Sequence, residues 1–155
     1  MWNSKKSVYL SIVVCFALSV ILLALIFIGP MLFRLYMTAF RGFKPEGEAL
    51  NRLLKIFGLT FYPSAVFAGV ILASLLKLLF NIKAKAVFIL QNVRLLKIVS
   101  LGCFAIGIIT FVGGLFYLPF MFAAFAGGFT GLLLRALKNV MQGAVELREE
   151  NDLTI

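Results

Sequence analysis

Long uncharged stretches dominate the pattern of hydrophobic and polar positions along this chain. Asp, Glu, Lys, Arg and His are absent from the 37 residues Ile98 to Leu134 and from the 27 residues Ser7 to Phe33. A third such stretch runs from Ile56 to Leu76. An uncharged apolar run of about 18 or more residues is typical of a transmembrane helix. The pattern therefore predicts an integral membrane protein.

The longest stretch must cross the membrane twice. As one helix its 37 residues would measure about 55 Å, against a hydrocarbon core of about 30 Å. Gly113, Gly114 and Pro119 favour a turn near its middle, because glycine tolerates turn geometry and proline interrupts helical hydrogen bonding. We therefore expect an all-α integral membrane four-helix bundle in one domain, residues 1–155. Its predicted segments are four spans near 9–33, 56–80, 97–116 and 119–138, and a cytoplasmic amphipathic helix over 139–155.

The basic residues predict the orientation of this bundle. The chain has 15 Lys and Arg against six Asp and Glu, a formal net charge of +9. With four spans, the two termini and the second connection share one side, which holds ten of the 15 basic residues. The positive-inside rule then places both termini in the cytoplasm. We expect no direct nucleic-acid binding, because no helix-turn-helix pattern accompanies the charge.

Two connections carry amphipathic patterns. The outward segment from Arg34 to Lys55 has a helix start signal at Pro45 and an apolar face from Leu50 to Phe57. We expect it to lie along the interface as an anchor, with ligand sensing as the alternative. The second connection has apolar residues at helical spacing among basic ones and predicts a helix on the inner leaflet, with a docking surface for an acidic protein partner as the alternative. Its membrane-surface basic residues are Lys83, Lys85, Arg94 and Lys97.

Small residues recur at helical spacing in the predicted spans. In lipid, helices associate through close backbone approach, which small side chains permit. The same Gly-x-x-x-Gly face of the fourth span would also suit a homo-oligomer, and the sequence leaves both uses open. The predicted helix-packing residues are Ala65, Gly69 and Ala73 in the second span, Gly107 and Gly114 in the third, and Gly127 and Gly131 in the fourth.

The residue types needed for membrane chemistry are missing. The chain has no His, and no acidic residue falls within a predicted span. Proton relays and ion-coupled transport need ionisable groups at membrane depth, and zinc sites need His or clustered Cys. The sequence therefore predicts no catalytic site, metal or cofactor, and a protein that is not an enzyme.

The C-terminal segment after Lys138 predicts an amphipathic helix with an acidic end. The acidic end is repelled by anionic head groups, so we expect it to project into the cytoplasm and to offer a protein-docking surface. Packing of this helix beneath its own bundle is an equally good alternative. The candidate docking residues are Val140, Met141, Val145, Glu146, Glu149 and Glu150.

The last 19 residues, Leu137 to Ile155, read LKNVMQGAVELREENDLTI. This segment resembles the C-terminal signature of the bacterial domain of unknown function 2975 family, and the rest of the chain is similar in hydropathy and layout. The resemblance implies a small four-span membrane protein of the bacterial cytoplasmic membrane. It also implies a two-gene unit, because members of this family are often encoded beside a small helix-turn-helix regulator. It implies no catalytic residue.

Three functions are compatible with these observations. The leading hypothesis is a regulatory membrane protein that docks a small cytoplasmic helix-turn-helix regulator. The first alternative is an immunity or tolerance protein that protects the membrane against a peptide or small toxicant. The second is a transporter or channel subunit, which the uncharged span interiors disfavour.

Overall fold

The computed structural model describes residues 4–45 and 47–153, and the described part contains helices and turns but no strand. Its four helices are α1 (Ser4–Arg41), α2 (Glu48–Lys83), α3 (Leu90–Gly114) and α4 (Pro119–Leu153). All four are long and apolar enough to cross a membrane. The predicted all-α membrane four-helix bundle is confirmed.

The helices pack in the order in which they follow along the chain. Among the described residues, Cα atoms of different helices come within 8 Å only for α1 with α2, α2 with α3, and α3 with α4. The second connection lies at the same end as the start of α1, since Lys83 Nζ lies 5.1 Å from the Tyr9 ring centroid. The last turns of α4 lie there too, since Val145 lines a cavity with Phe88 and Leu90. We call this the termini end. The third connection lies at the opposite end, where the Tyr117 ring is 5.9 Å from the ring of Phe33 in the second half of α1.

The first connection does not form the separate interfacial helix that the sequence predicts. α1 continues through Pro30 to Arg41, and α2 starts at Glu48 and runs without a break into the second span. Leu50, in the first turn of α2, is fully buried. Its burial explains the difference, because the apolar face is packed against protein instead of lying along the lipid interface.

The second connection also differs from the predicted leaflet-bound helix. α2 ends at Lys83, and α3 begins after a short turn, at Leu90. Val93 and Leu96 are buried, so the apolar face of this segment is turned toward the protein. Leu96 belongs to an apolar cluster at the termini end that joins α2, α3 and α4. This cluster comprises Leu78, Leu95 and Leu96, with Ile82, Leu134 and Met141 packed against it.

Glycines bring the backbones of α3 and α4 into close contact. A Cβ atom at Gly107 would lie 3.2 Å from the Gly128 nitrogen, and one at Gly127 would lie 3.1 Å from the Cys103 carbonyl oxygen. Gly131 packs on the Phe104 ring and Gly114 on Met121. These glycines let the two helices approach closely, as association in lipid requires.

The small-residue stripe of α2 is only partly at a helix contact. Ala65 is buried, but Ala73 is exposed, and a Cβ at Gly69 would have no heavy atom within 4 Å. α2 meets α3 through Ile71, which approaches Gly102. Gly69 and Ala73 therefore lie outside the contacts, contrary to the predicted stripe, because larger side chains form this interface.

Candidate functional site at the termini end

The connection between α2 and α3 is held by a buried amide. Asn92 has no exposed surface, and its Nδ2 donates to the carbonyl oxygens of Ala86 and Val87, each at 2.8 Å. Asn81 Nδ2 donates to Asn92 Oδ1 at 2.7 Å. Lys85, at the tip of this connection, takes a left-handed backbone conformation with φ of 63°. The network fixes the connection as a rigid platform at the termini end.

The last turns of α4 pack against this platform. Met141 contacts the apolar cluster, and Val145 is only 3% exposed, beside Phe88 and Leu90 in the lining of one cavity. Of the predicted docking residues, Val145 is therefore covered by its own chain and Met141 is half-buried. The helical repeat explains this correction, because Leu134, Met141 and Val145 fall on one side of α4 and that side meets α3.

The opposite side of α4 leaves a second apolar stripe uncovered. Val140 is 72% exposed and Leu147 is 63% exposed, and their spacing of seven residues places them on the same face. Glu146 and Glu150 are exposed beside this stripe. Glu149 is also exposed, but it lines the cavity that contains Val145, on the side of α4 that meets α3. The structure therefore separates the predicted docking set into an inner face with Met141, Val145 and Glu149 and an outer face. The outer face is Val140 and Leu147 with Glu146 and Glu150.

The four predicted membrane-surface basic residues lie at the termini end and are all exposed: Lys83, Lys85, Arg94 and Lys97. Two further cations, Arg135 and Lys138, were not singled out from the sequence as site residues. They line a cavity of ≈ 110 Å³ together with Lys97, Ser100 and Leu101. The sequence does contain a signal for this cavity. Lys97 and Arg135 flank the longest uncharged stretch, and the turn in the middle of that stretch brings its two ends together.

The buried polar side chains of the described part are all neutral: Thr60, Ser74, Asn92, Ser100 and Thr110. The Thr110 hydroxyl donates to carbonyl oxygens of its own helix, at Ile106 and Gly107. The Ser100 hydroxyl donates across the interface to the Gly131 carbonyl oxygen at 2.8 Å. No group of three or more His, Cys, Asp or Glu that could hold a metal ion occurs in the described part. These hydrogen bonds serve helix packing.

Comparison with known proteins gives one finding. A family model described as "Protein of unknown function (DUF2975)" matches residues 44–155. This match confirms the resemblance of the C-terminal segment and extends it over α2, α3 and α4. Curated proteins and solved structures gave no match.

Proposed function

The chain belongs to the DUF2975 family, and we propose that it is a non-enzymatic protein of the bacterial cytoplasmic membrane that docks a small helix-turn-helix regulator. The proposed docking surface is the outer face of α4 at the termini end. The observation that carries the proposal is the high exposure of Val140 and Leu147 in the C-terminal half of α4.

The length of α4 supports a projecting segment. From Pro119 to Arg135 the helix rises about 24 Å, which is most of the hydrocarbon thickness. The 18 residues from Ala136 to Leu153 add about 27 Å. Most of this segment then lies in water, where an exposed apolar stripe is stabilised by covering it with a partner.

The charges around the stripe favour a basic partner. The outer face carries Glu146 and Glu150 exposed beside the apolar side chains. A helix-turn-helix protein presents basic groups toward DNA phosphates. Docking through that surface would mask it, so the membrane protein would restrain the regulator by competing with DNA.

The test is binding of the neighbouring helix-turn-helix protein to the full-length chain in lipid nanodiscs. We expect Glu150→Lys, which reverses the charge one turn after Leu147, to weaken binding about tenfold, the scale of a close charge pair at a protein interface. The matched control is Glu48→Lys, which makes the same charge reversal at an exposed position of the opposite end. Binding should also fall when operator DNA is added. Equal binding by wild type and Glu150→Lys, or equal weakening by Glu48→Lys, would overturn the proposal.

A further inference from the structure

A basic cavity and an apolar groove lie on the same side of the α3–α4 pair. The cavity is lined by Lys97, Arg135 and Lys138, with Ser100 and Leu101. The groove has a volume of ≈ 490 Å³, and its α3 lining includes Phe104, Ile108 and Phe111. Positions 97, 101, 104, 108 and 111 follow one another at steps of three or four residues, which places them along one face of α3. The groove therefore continues the cavity into the membrane.

The cavity concentrates positive charge that no described carboxylate balances. No ion pair involves Lys97, Arg135 or Lys138 in the part of the chain that the structure describes, and Lys138 Nζ donates to the neutral Asn139 Oδ1 at 3.1 Å. The next acidic residue along α4 is Glu146, about 12 Å beyond Lys138 at the helical rise. Three cations around ≈ 110 Å³ repel one another, and an anion between them would relieve that repulsion.

The depth of the cavity matches the head-group level. Lys97 lies about 26 Å from the end of α3 at Gly114, and Arg135 lies about 24 Å from the start of α4 at Pro119. Both cations therefore stand at similar heights near the boundary of a hydrocarbon core of about 30 Å. The Ser100–Gly131 hydrogen bond joins the two helices beside the cavity.

The groove is built for an apolar chain. On α4 it is lined by Met121, Ala124, Phe125 and Gly128, so its walls carry no charged side chain. It begins at Phe104, about 10 Å along α3 from Lys97. This is the order in which a phospholipid presents its phosphate and its acyl chain.

We propose that the α3–α4 pair binds one anionic phospholipid, with its phosphate among Lys97, Arg135 and Lys138 and an acyl chain in the groove. Basic pockets between membrane helices recognise head groups in this way. The site requires neither the regulator nor the outer face of α4, so it stands independently of the proposed function.

The head-group test measures lipid retention by native mass spectrometry of the detergent-purified chain. Phosphatidylglycerol is compared with phosphatidylcholine of the same acyl chains. Wild type should retain one phosphatidylglycerol. The variant Lys97→Gln/Arg135→Gln/Lys138→Gln should lose about a hundredfold in affinity for phosphatidylglycerol, because three basic side chains no longer attract the anionic head group. The control Lys83→Gln/Lys85→Gln/Arg94→Gln removes the same charge at the same end and should retain it.

The groove test uses two glycines that are open to substitution. A Cβ at Gly128 or at Gly69 meets no heavy atom within 4 Å, so both positions accept a larger residue. Gly128→Leu fills the groove and should lower retention of long-chain phosphatidylglycerol at least tenfold. Gly69→Leu on α2 is the matched control and should not change it. Because these variants keep the basic residues and the helix contacts, they test the site even if the triple variant misfolds.

Inorganic phosphate carries the same charged group as the lipid head and is the alternative ligand for the basic cavity. Inorganic phosphate in large excess should not displace the lipid. Displacement by phosphate, equal retention of the two lipids by wild type, or an equal loss in each variant and its matched control would overturn the proposal.

Discussion

Asn81 and Asn92 are joined by a hydrogen bond of 2.7 Å between the side chains of consecutive helices, and Asn92 is fully buried. Through its remaining amide protons Asn92 also holds the carbonyl groups of Ala86 and Val87. One buried side chain therefore connects α2, α3 and the turn between them.

Asn92→Ala should destabilise the protein by about 3 kcal/mol, because it leaves buried polar groups without partners at roughly 1 kcal/mol or more each. The measurement is the free energy of unfolding in mixed detergent micelles. The neighbouring exposed residue gives the control, since Gln91→Ala loses only a contact of 3.5 Å. A similar loss in both variants would show that the Asn92 network contributes no stability.

Gly127 and Gly128 are adjacent but differ in surroundings. A methyl group at Gly127 would press on the backbone of Gly107, whereas one at Gly128 meets nothing within 4 Å. Gly127→Ala should cost about 1–3 kcal/mol through overpacking. Gly128→Ala should cost nothing measurable. The free energies of unfolding of the two variants compare the positions, and equal values would contradict the close α3–α4 contact.

Gly113 faces Thr60 across the α2–α3 interface. A Cβ at Gly113 would lie 2.5 Å from Thr60 Oγ1 and 2.9 Å from its Cγ2. Gly113→Ala should therefore destabilise the bundle, and adding Thr60→Ala should restore part of the loss. We expect a coupling of about 1–2 kcal/mol in a double-mutant cycle of unfolding free energies. Additive effects would mean that the two residues do not touch.

The same substitution should have different effects on the inner and outer faces of the C-terminal half of α4. Val145→Ser should cost about 2 kcal/mol, because it exchanges buried apolar surface for a hydroxyl. Val140→Ser should change the free energy of unfolding by less than about 0.5 kcal/mol, as is usual for an exposed site. If thermal unfolding shows equal losses of stability in the two variants, the C-terminal half of α4 does not pack on α3 as the structure describes.

Hydropathy alone predicts the helical membrane fold, because a chain in lipid must satisfy its backbone hydrogen bonds within helices. It does not predict where the helices end. The apolar faces that begin at Leu50 and Val93 suit the lipid interface and a protein contact equally well, and only the packed structure distinguishes the two. The spacing of apolar residues shows that a helix is amphipathic, but it does not show whether lipid or protein covers the apolar face.

The candidate site shows the same limit. α4 carries an apolar stripe on two sides, and the sequence does not reveal that Val145 faces inward while Val140 faces outward. Lys97 and Arg135 are 38 residues apart, and the α3–α4 hairpin brings them to one cavity. The tight turn near Gly114 brings these two residues to the same level, and that turn is predicted from the length of the longest uncharged stretch.

From the four long apolar helices and the distribution of basic residues, we expect the chain to cross the membrane four times with both termini in the cytoplasm. The measurement is cysteine labelling in intact bacteria with a membrane-impermeant maleimide, after Cys15 and Cys103 are replaced by serine. Lys6→Cys and Asn151→Cys should react only after permeabilisation, and Lys44→Cys should react in intact cells. Labelling of Lys6→Cys and Asn151→Cys from opposite sides of the membrane would contradict the shared termini end and the docking surface placed there.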